Sequence, residues 1–300
     1  MAILPENRQN AEIAKKLYLD TTDSVGEASD WIAAIAQARS IAEASLLASN
    51  NFEDIEGALV SSGAHMKAFR HLLAPPKSQD QFKLLCSTWS KGTEKSGRGL
   101  NRIAASKVAS IVNQWLDVEI APWLSTKRAP TVAERSLVIE RIVSFIAPKE
   151  TDTAKRNRLS NIQEQAVVQI LVGNGWKLLP SVLLDRRALV PTKHFMHKTR
   201  FATATTNAQE VDIACGLQGS IVAAMECKVT NDATNSVKRI NDVLKKANSW
   251  KTHYGSFVET AALLQGVINP SDVQRLTDEG VHVFWSHDLE SFSDWIELRA

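Results

Sequence analysis

Three charged side chains around an apolar run carry the strongest chemical signal in the sequence. Glu226 and Lys228 flank Cys227 at the end of the run 221–225, and Asp212 lies upstream, across the turn-forming pair Gln218-Gly219. Side chains alternate faces along a strand, so Glu226 and Lys228 share one face while Met225, Cys227 and Val229 take the other. Charges on a strand otherwise suited to burial need a reason, because an ionised group leaves water only at high cost. If residues 210–217 and 220–229 pair as a hairpin, Asp212 comes opposite the neighbourhood of Glu226, and two carboxylates reach one cation. Such oxygen donors suit Mg²⁺, which keeps several waters and is held by one or two carboxylates plus a substrate phosphate. A lysine beside them can stabilise charge developing on a phosphoryl group, or orient and help deprotonate the attacking water. The set reads as metal-assisted hydrolysis of a phosphodiester.

These residues need a buried sheet to position them, and the pattern after Pro148 supplies one. Residues 149–158 are polar and charged and read as a linker, which places a boundary between an N-terminal region 1–148 and a core 149–300. Residues 161–172 have helical spacing and end at Gly173-Asn174-Gly175. A short strand at 176–179 precedes the hairpin. Several possible N-caps at 230–235 open a helix with an apolar stripe of Val237, Ile240, Leu244 and Ala247, while Lys238, Arg239, Lys245 and Lys246 point elsewhere. A strand-like run at 257–268, a short helix after Asn269-Pro270, a strand at 281–285 and a helix at 289–298 complete the chain. This alternation predicts an α/β fold with a mixed central sheet flanked by helices. Before Pro148, from residue 7 to about 145, the sequence reads as helix after helix, broken at Pro75-Pro76, the glycine-rich run 92–99, Pro122 and Pro130.

Composition narrows the function classes. A chain of 300 residues with 44% hydrophobic and 23% charged residues is that of an ordinary globular protein. No apolar run approaches the roughly 20 residues of a bilayer span, and no secretory signal opens the chain, so a cytoplasmic protein without membrane contact is expected. The three cysteines are scattered and form no zinc knuckle. Without a G-x-x-x-x-G-K-[ST] run, no nucleotide cofactor is expected. The net charge of +2 is nearly neutral, yet 186–200 carries Arg186, Arg187, Lys193, Lys198 and Arg200 without an acid. That stretch is either a nucleic-acid contact or a solvated face. Read as a basic loop, it holds His194 and His197 without a third metal-ligand partner at suitable spacing, and the two read as phosphate contacts or plain surface.

Asp212, with Glu226-x-Lys228, resembles the pattern of the PD-(D/E)xK nuclease superfamily, with Val211 where a loosely kept proline stands. More specifically, residues 158–164, Val211-Asp212, 225–228, 234–239, 250–255 and 283–287 resemble ordered blocks of XamI-type type II restriction endonucleases. The N-terminal half is similar chiefly at 75–82 and 129–135. That family usually reads E-A-K-S where this chain has E-C-K-V, a change outside the charged pair. The resemblance implies a restriction-endonuclease-like core, Mg²⁺, cleavage of double-stranded DNA at a short palindrome, and a homodimer. It implies Asp212 and Glu226 as metal ligands, with Lys228 the third catalytic group. It also suggests Glu164 as a further ligand, against the plainer reading of an exposed helical glutamate. Thr234, Asn235, Lys238 and Arg239 follow the catalytic strand and either touch phosphates or cap and solubilise their helix. The helical region would clamp or read DNA. The alternatives are a repair or structure-specific nuclease of the same superfamily, or a catalytically inactive DNA-binding protein.

Overall fold

A computed structural model describes residues 3–20, 24–205 and 207–300, the side chains of Ser24 and Val25 apart. The chain divides into two compact units, one of residues 24–154, the other of the described residues before 24 together with 155–300.

The first unit is helical throughout: α2 (Ser24–Ala48), α3 (Ile55–Ser61), α4 (Met66–Phe69), α5 (Gln79–Leu85), α6 (Lys91–Ser96), α7 (Arg102–Trp115), α8 (Pro122–Thr126) and the start of α9 (Val132–Gly173). Its core includes Leu46, Leu59, Phe69, Phe82, Val108 and Trp123. Side-chain caps from Asp54, Ser78, Ser90 and Asn101 start four of these helices. Buried in this unit, Arg70 pairs with Glu94 through Nε and Nη2, both at 3.0 Å. The Arg70 Nη1 donates to His71 Nε2 at 2.8 Å, and the imidazole stacks on Phe145.

The second unit holds the sheet. Its order is β1 (Lys177–Leu179), β3 (His194–Phe201), β4 (Gln209–Gly216), β5 (Val222–Thr230), β6 (Val258–Gly266) and β7 (Val281–Trp285), with β2 (Leu183–Leu184) also pairing with β3. The β3–β4 and β4–β5 pairs are antiparallel, while β5–β6 and β6–β7 are parallel. Helices α10 (Ala233–Tyr254), α11 (Pro270–Asp278) and α12 (Leu289–Glu297) accompany it. The expected mixed sheet flanked by helices is therefore present. All nine residues of β5 are buried, since it lies between two strands and under helices. On one side, Phe195, Ile213, Met225, Cys227 and Leu263 pack with Leu171 of α9. On the other, α10 contributes Ile240, Val243 and Ala247 to a cluster with Leu264 and with Ala11 and Ala14 of α1 (Pro5–Asp20).

Three expectations change. Residues 149–158 are not a linker but part of α9, which continues through Pro148. Their polar groups are satisfied within a helix: Thr151 and Thr153 donate to carbonyls four residues back, and Glu150 pairs with Lys67. The described N-terminal residues join the sheet unit, because Ala11 and Ala14 bury against it. Finally, residues 194–201 are a strand, not a loop. Their exposed basic residues, Lys198 and Arg200, masked the buried positions Phe195, Met196, Thr199 and Phe201.

Gly266 sets how closely β6 approaches β5. Its φ is +95°, and a Cβ there would lie 2.0 Å from the carbonyl oxygen of Thr230. Gly266→Ala is expected to cost about 2 kcal/mol or more, through a disfavoured backbone conformation plus a clash. Urea unfolding measures it, and an unchanged midpoint would contradict the close approach.

His71 sets a pH dependence. Burial, reinforced by Arg70, Lys149 and Lys67, pushes its pKa down to about 3. The unfolded chain takes up this proton near the ordinary 6.5, so the stabilisation is complete above that value and erodes as pH falls toward 3, by up to about 1.4 kcal/mol per unit. Between pH 6 and 4, His71→Gln should show a shallower loss of unfolding free energy than the parent. Parallel slopes would exclude His71 as the source.

Candidate active site

Three elements converge on the charged residues of β5. The β4–β5 register pairs Ile213 with Met225, which brings Asp212 next to Glu226. Asp212 Oδ2 accepts the backbone N–H of Cys227 at 2.8 Å, and Lys228 Nζ stands 3.5 Å from it. Lys228 Nζ also donates to Glu226 Oε2 at 2.5 Å. The third element is α10, started by Asp232, whose side chain accepts from Asn235 N. From it Lys246 reaches Glu226 Oε2 at 2.8 Å.

Glu226 has no solvent exposure, and its Oε1 is buried without a hydrogen-bond partner among the described residues. Burial pushes the Glu226 carboxyl above the usual range; Lys228 and Lys246 oppose this and Asp212 adds to it. Burial alone would lower Lys228, but Glu226, Asp212 and, farther off, Asp242 outweigh it and hold the ammonium above the ordinary lysine range. Lys228 is thereby fixed as a cation. The Cys227 thiol is pushed far up by burial and then by Asp212 and Glu164, so this residue enters the site through its backbone N–H.

A free carboxylate oxygen beside a second carboxylate, with cationic lysines already in place, is a donor set that a hard divalent cation takes. Among the described residues no group of three or more His, Cys, Asp or Glu surrounds one point. A cation that binds through one or two carboxylates, water and phosphate needs none.

Glu164 is buried rather than exposed. Its Oε2 lies 2.8 Å from His197 Nε2 and 3.1 Å from Lys198 Nζ, and Ser160 donates to Oε1 at 3.3 Å. Lys198 has a positive φ of +52° in the middle of β3. The register pairs His197 with Ile213 and Thr199 with Val211, so this departure falls opposite Asp212. Ser181 Oγ donates to the carbonyls of His197 and Lys198 and secures it.

The basic stretch 186–200 is split by the strand. Lys198 and Arg200 lie at the Asp212 end of β3–β4, Arg200 opposite Glu210. Lys193 bonds through its backbone to Gly216 at the other end and pairs with Glu297. Arg187 lies over the Phe257 ring, and Arg186 is exposed beside Asp185. Asn235, Lys238 and Arg239, with Arg156, Asp242 and Lys245, line a groove of about 470 Å³ along α10. Thr234 is exposed at the start of the same helix.

Two groups escaped the sequence reading. His197 and Lys198 engage Glu164 because a strand, not a loop, carries them. Lys246 was placed on the solvent side of α10, but it lies three residues after buried Val243 and four before buried Trp250, so it borders the sheet-facing stripe. That spacing was the available signal.

Removing the Glu226 charge should leave two lysines facing a neutral amide in a buried place. Glu226→Gln is expected to lose about 3 kcal/mol of stability without divalent cations, as broken buried ion pairs do. Glu226→Gln/Lys228→Met should recover part of it in urea unfolding. Parental stability of the single variant would mean the ion pairs do not hold this strand.

The model of the XamI restriction endonuclease family matches residues 50–285. The type II restriction enzyme XamI of Xanthomonas campestris pv. amaranthicola is 28% identical over 193 residues, covering 63% of this chain and 68% of the relative. Among solved structures, protein VC1899 from Vibrio cholerae matches 88% of this chain, which spans 56% of its length, at 11% identity and a TM-score of 0.31.

Proposed function

The chain belongs to the XamI restriction endonuclease family, and from that premise we propose that it is a type II site-specific endonuclease hydrolysing phosphodiester bonds of double-stranded DNA, with Mg²⁺ as cofactor. The observation that carries this reading is the unpartnered Oε1 of Glu226, buried beside Asp212 and under Lys228. A purely structural ion-pair cluster has no use for an unsatisfied carboxylate oxygen, which costs stability. A cation-binding site does.

Asp212 and Glu226 would hold the Mg²⁺, which supplies charge neutralisation at the phosphoryl group and an acidified water. Lys228, shared by Glu226 and Asp212, suits holding a phosphate oxygen or orienting the attacking water. The Cys227 N–H keeps Asp212 oriented. Glu164 orders His197 and Lys198 beside Asp212, and we assign it this supporting role alongside any contact with the cation. Lys198 and Arg200 at the catalytic end, with Arg156, Lys238, Arg239 and Lys245 along α10, supply positive charge for the DNA backbone. Asn235 belongs to that groove, and exposed Thr234 precedes it in the first turn of the helix. Arg186, Arg187 and Lys193 stand at the other end of the strands and would contact only flanking phosphates. The helical unit would clamp or read the duplex. Membership of a type II family supports cleavage at a short palindrome, a two-fold site that a homodimer would read naturally, and the cytoplasm is where such a substrate is met.

Purified protein should cut unmethylated phage DNA into discrete fragments with Mg²⁺. EDTA should abolish this, and so should Lys228→Met, a variant checked for folding. Intact DNA with folded protein under all conditions would overturn the reading. Cleavage confined to forks or lesions would replace it with a structure-specific nuclease.

A further inference from the structure

We infer that Lys246 is a positioning residue of the catalytic centre, holding Glu226 by Oε2 so that Oε1 faces the divalent cation and Lys228 is free to engage the substrate. The inference rests on the nuclease reading above and deepens it.

Both lysines grip the same oxygen: Lys228 Nζ at 2.5 Å and Lys246 Nζ at 2.8 Å from Oε2. The other oxygen has no partner among the described residues, although the side chain is fully buried. Charge pairing alone would favour one ammonium on each oxygen, because each buried lone pair left unmet carries a penalty. Crowding both onto Oε2 makes sense when Oε1 is reserved for a third group. That group has to be a cation or a donor, since only these satisfy a carboxylate oxygen.

The two lysines are anchored differently. Lys228 extends from β5, two residues from Glu226, and is shared with Asp212. Lys246 comes from α10, whose position is set by Val243, Ala247 and Trp250 in the core. Its ammonium therefore stays on Glu226 when Lys228 turns toward a phosphate. Without Lys246, that turn would leave Oε2 with no ammonium, and the carboxylate would be free to rotate.

The charges give the test its sign. Asp212 and Glu226 are balanced by Lys228 and Lys246, so Lys246 by Coulomb's law alone repels an incoming Mg²⁺. Its removal should tighten cation binding if charge were all that mattered. If it positions Glu226, removal should weaken binding by about 10-fold or more, as loss of groups that orient metal ligands does.

The experiment is calorimetric titration of the full chain with Mg²⁺, without DNA, for the parent, Lys246→Met, Lys246→Gln and Lys246→Arg, with thermal unfolding of each. Single-turnover cleavage is followed in parallel. We expect about 10-fold weaker Mg²⁺ binding and slower cleavage in the Met and Gln variants, which fold with a lowered melting temperature because Glu226 keeps Lys228 alone, with the Arg variant restoring most of the binding and the cleavage. Unchanged or tighter Mg²⁺ binding in a folded Met or Gln variant overturns the role of Lys246. If one of the two fails to fold, the other decides; if neither folds, Lys246 is a structural residue and the inference is wrong. A parent that neither binds Mg²⁺ nor cuts DNA overturns the nuclease reading itself, and this inference with it.

Discussion

A charged carboxylate with no access to water dictates the arrangement around it. Glu226 lies on a strand buried along its whole length, and an isolated ion in such a place would either neutralise or open the structure. The fold answers with one lysine from the same strand and one from the next helix. That answer constrains the neighbours. α10 must pack closely enough for Lys246 to reach, β4 must bring Asp212 within range of Lys228, and β6 must approach β5 closely at Gly266. Chemistry and packing are thus not separable at this strand.

The parts of the site contributed by one strand and its hairpin partner were legible in the sequence. Period-two alternation put Glu226 and Lys228 on one face, and the turn at Gln218-Gly219 set the pairing with Asp212. The alternation of helices and strands likewise announced the mixed sheet. What the sequence hid came from other elements. Lys246 lies 20 residues from Glu226 in the chain, and on a helical wheel it borders the apolar stripe, where a lysine reads equally well as solvated or as inward-reaching. His197 and Lys198 were obscured because their strand carries basic residues on its outer face, and the departure at Lys198 is a backbone event with no composition signal.

The misread linker has a similar origin. Polarity over 149–158 marks contact with water, and a long helix meets water as readily as a loop does. Threonine hydroxyls bonded to the helix's own carbonyls, and a glutamate paired with Lys67, satisfy these residues without breaking α9. Proline was a poor stop signal for the same reason: only its own missing N–H and the carbonyl four residues earlier are affected.

Asp212 is held by the main chain of Cys227, and the thiol itself is buried and pushed far above ordinary cysteine. The side chain between Glu226 and Lys228 is therefore chemically silent and answerable only to the volume of the core. Substitution by another small residue there is a matter of packing, open to drift without disturbing the charges on either side. A thiol reagent in solution would find this sulfur only in molecules whose sheet has opened, which makes residue 227 a built-in reporter of strand separation beside Asp212 and Glu226.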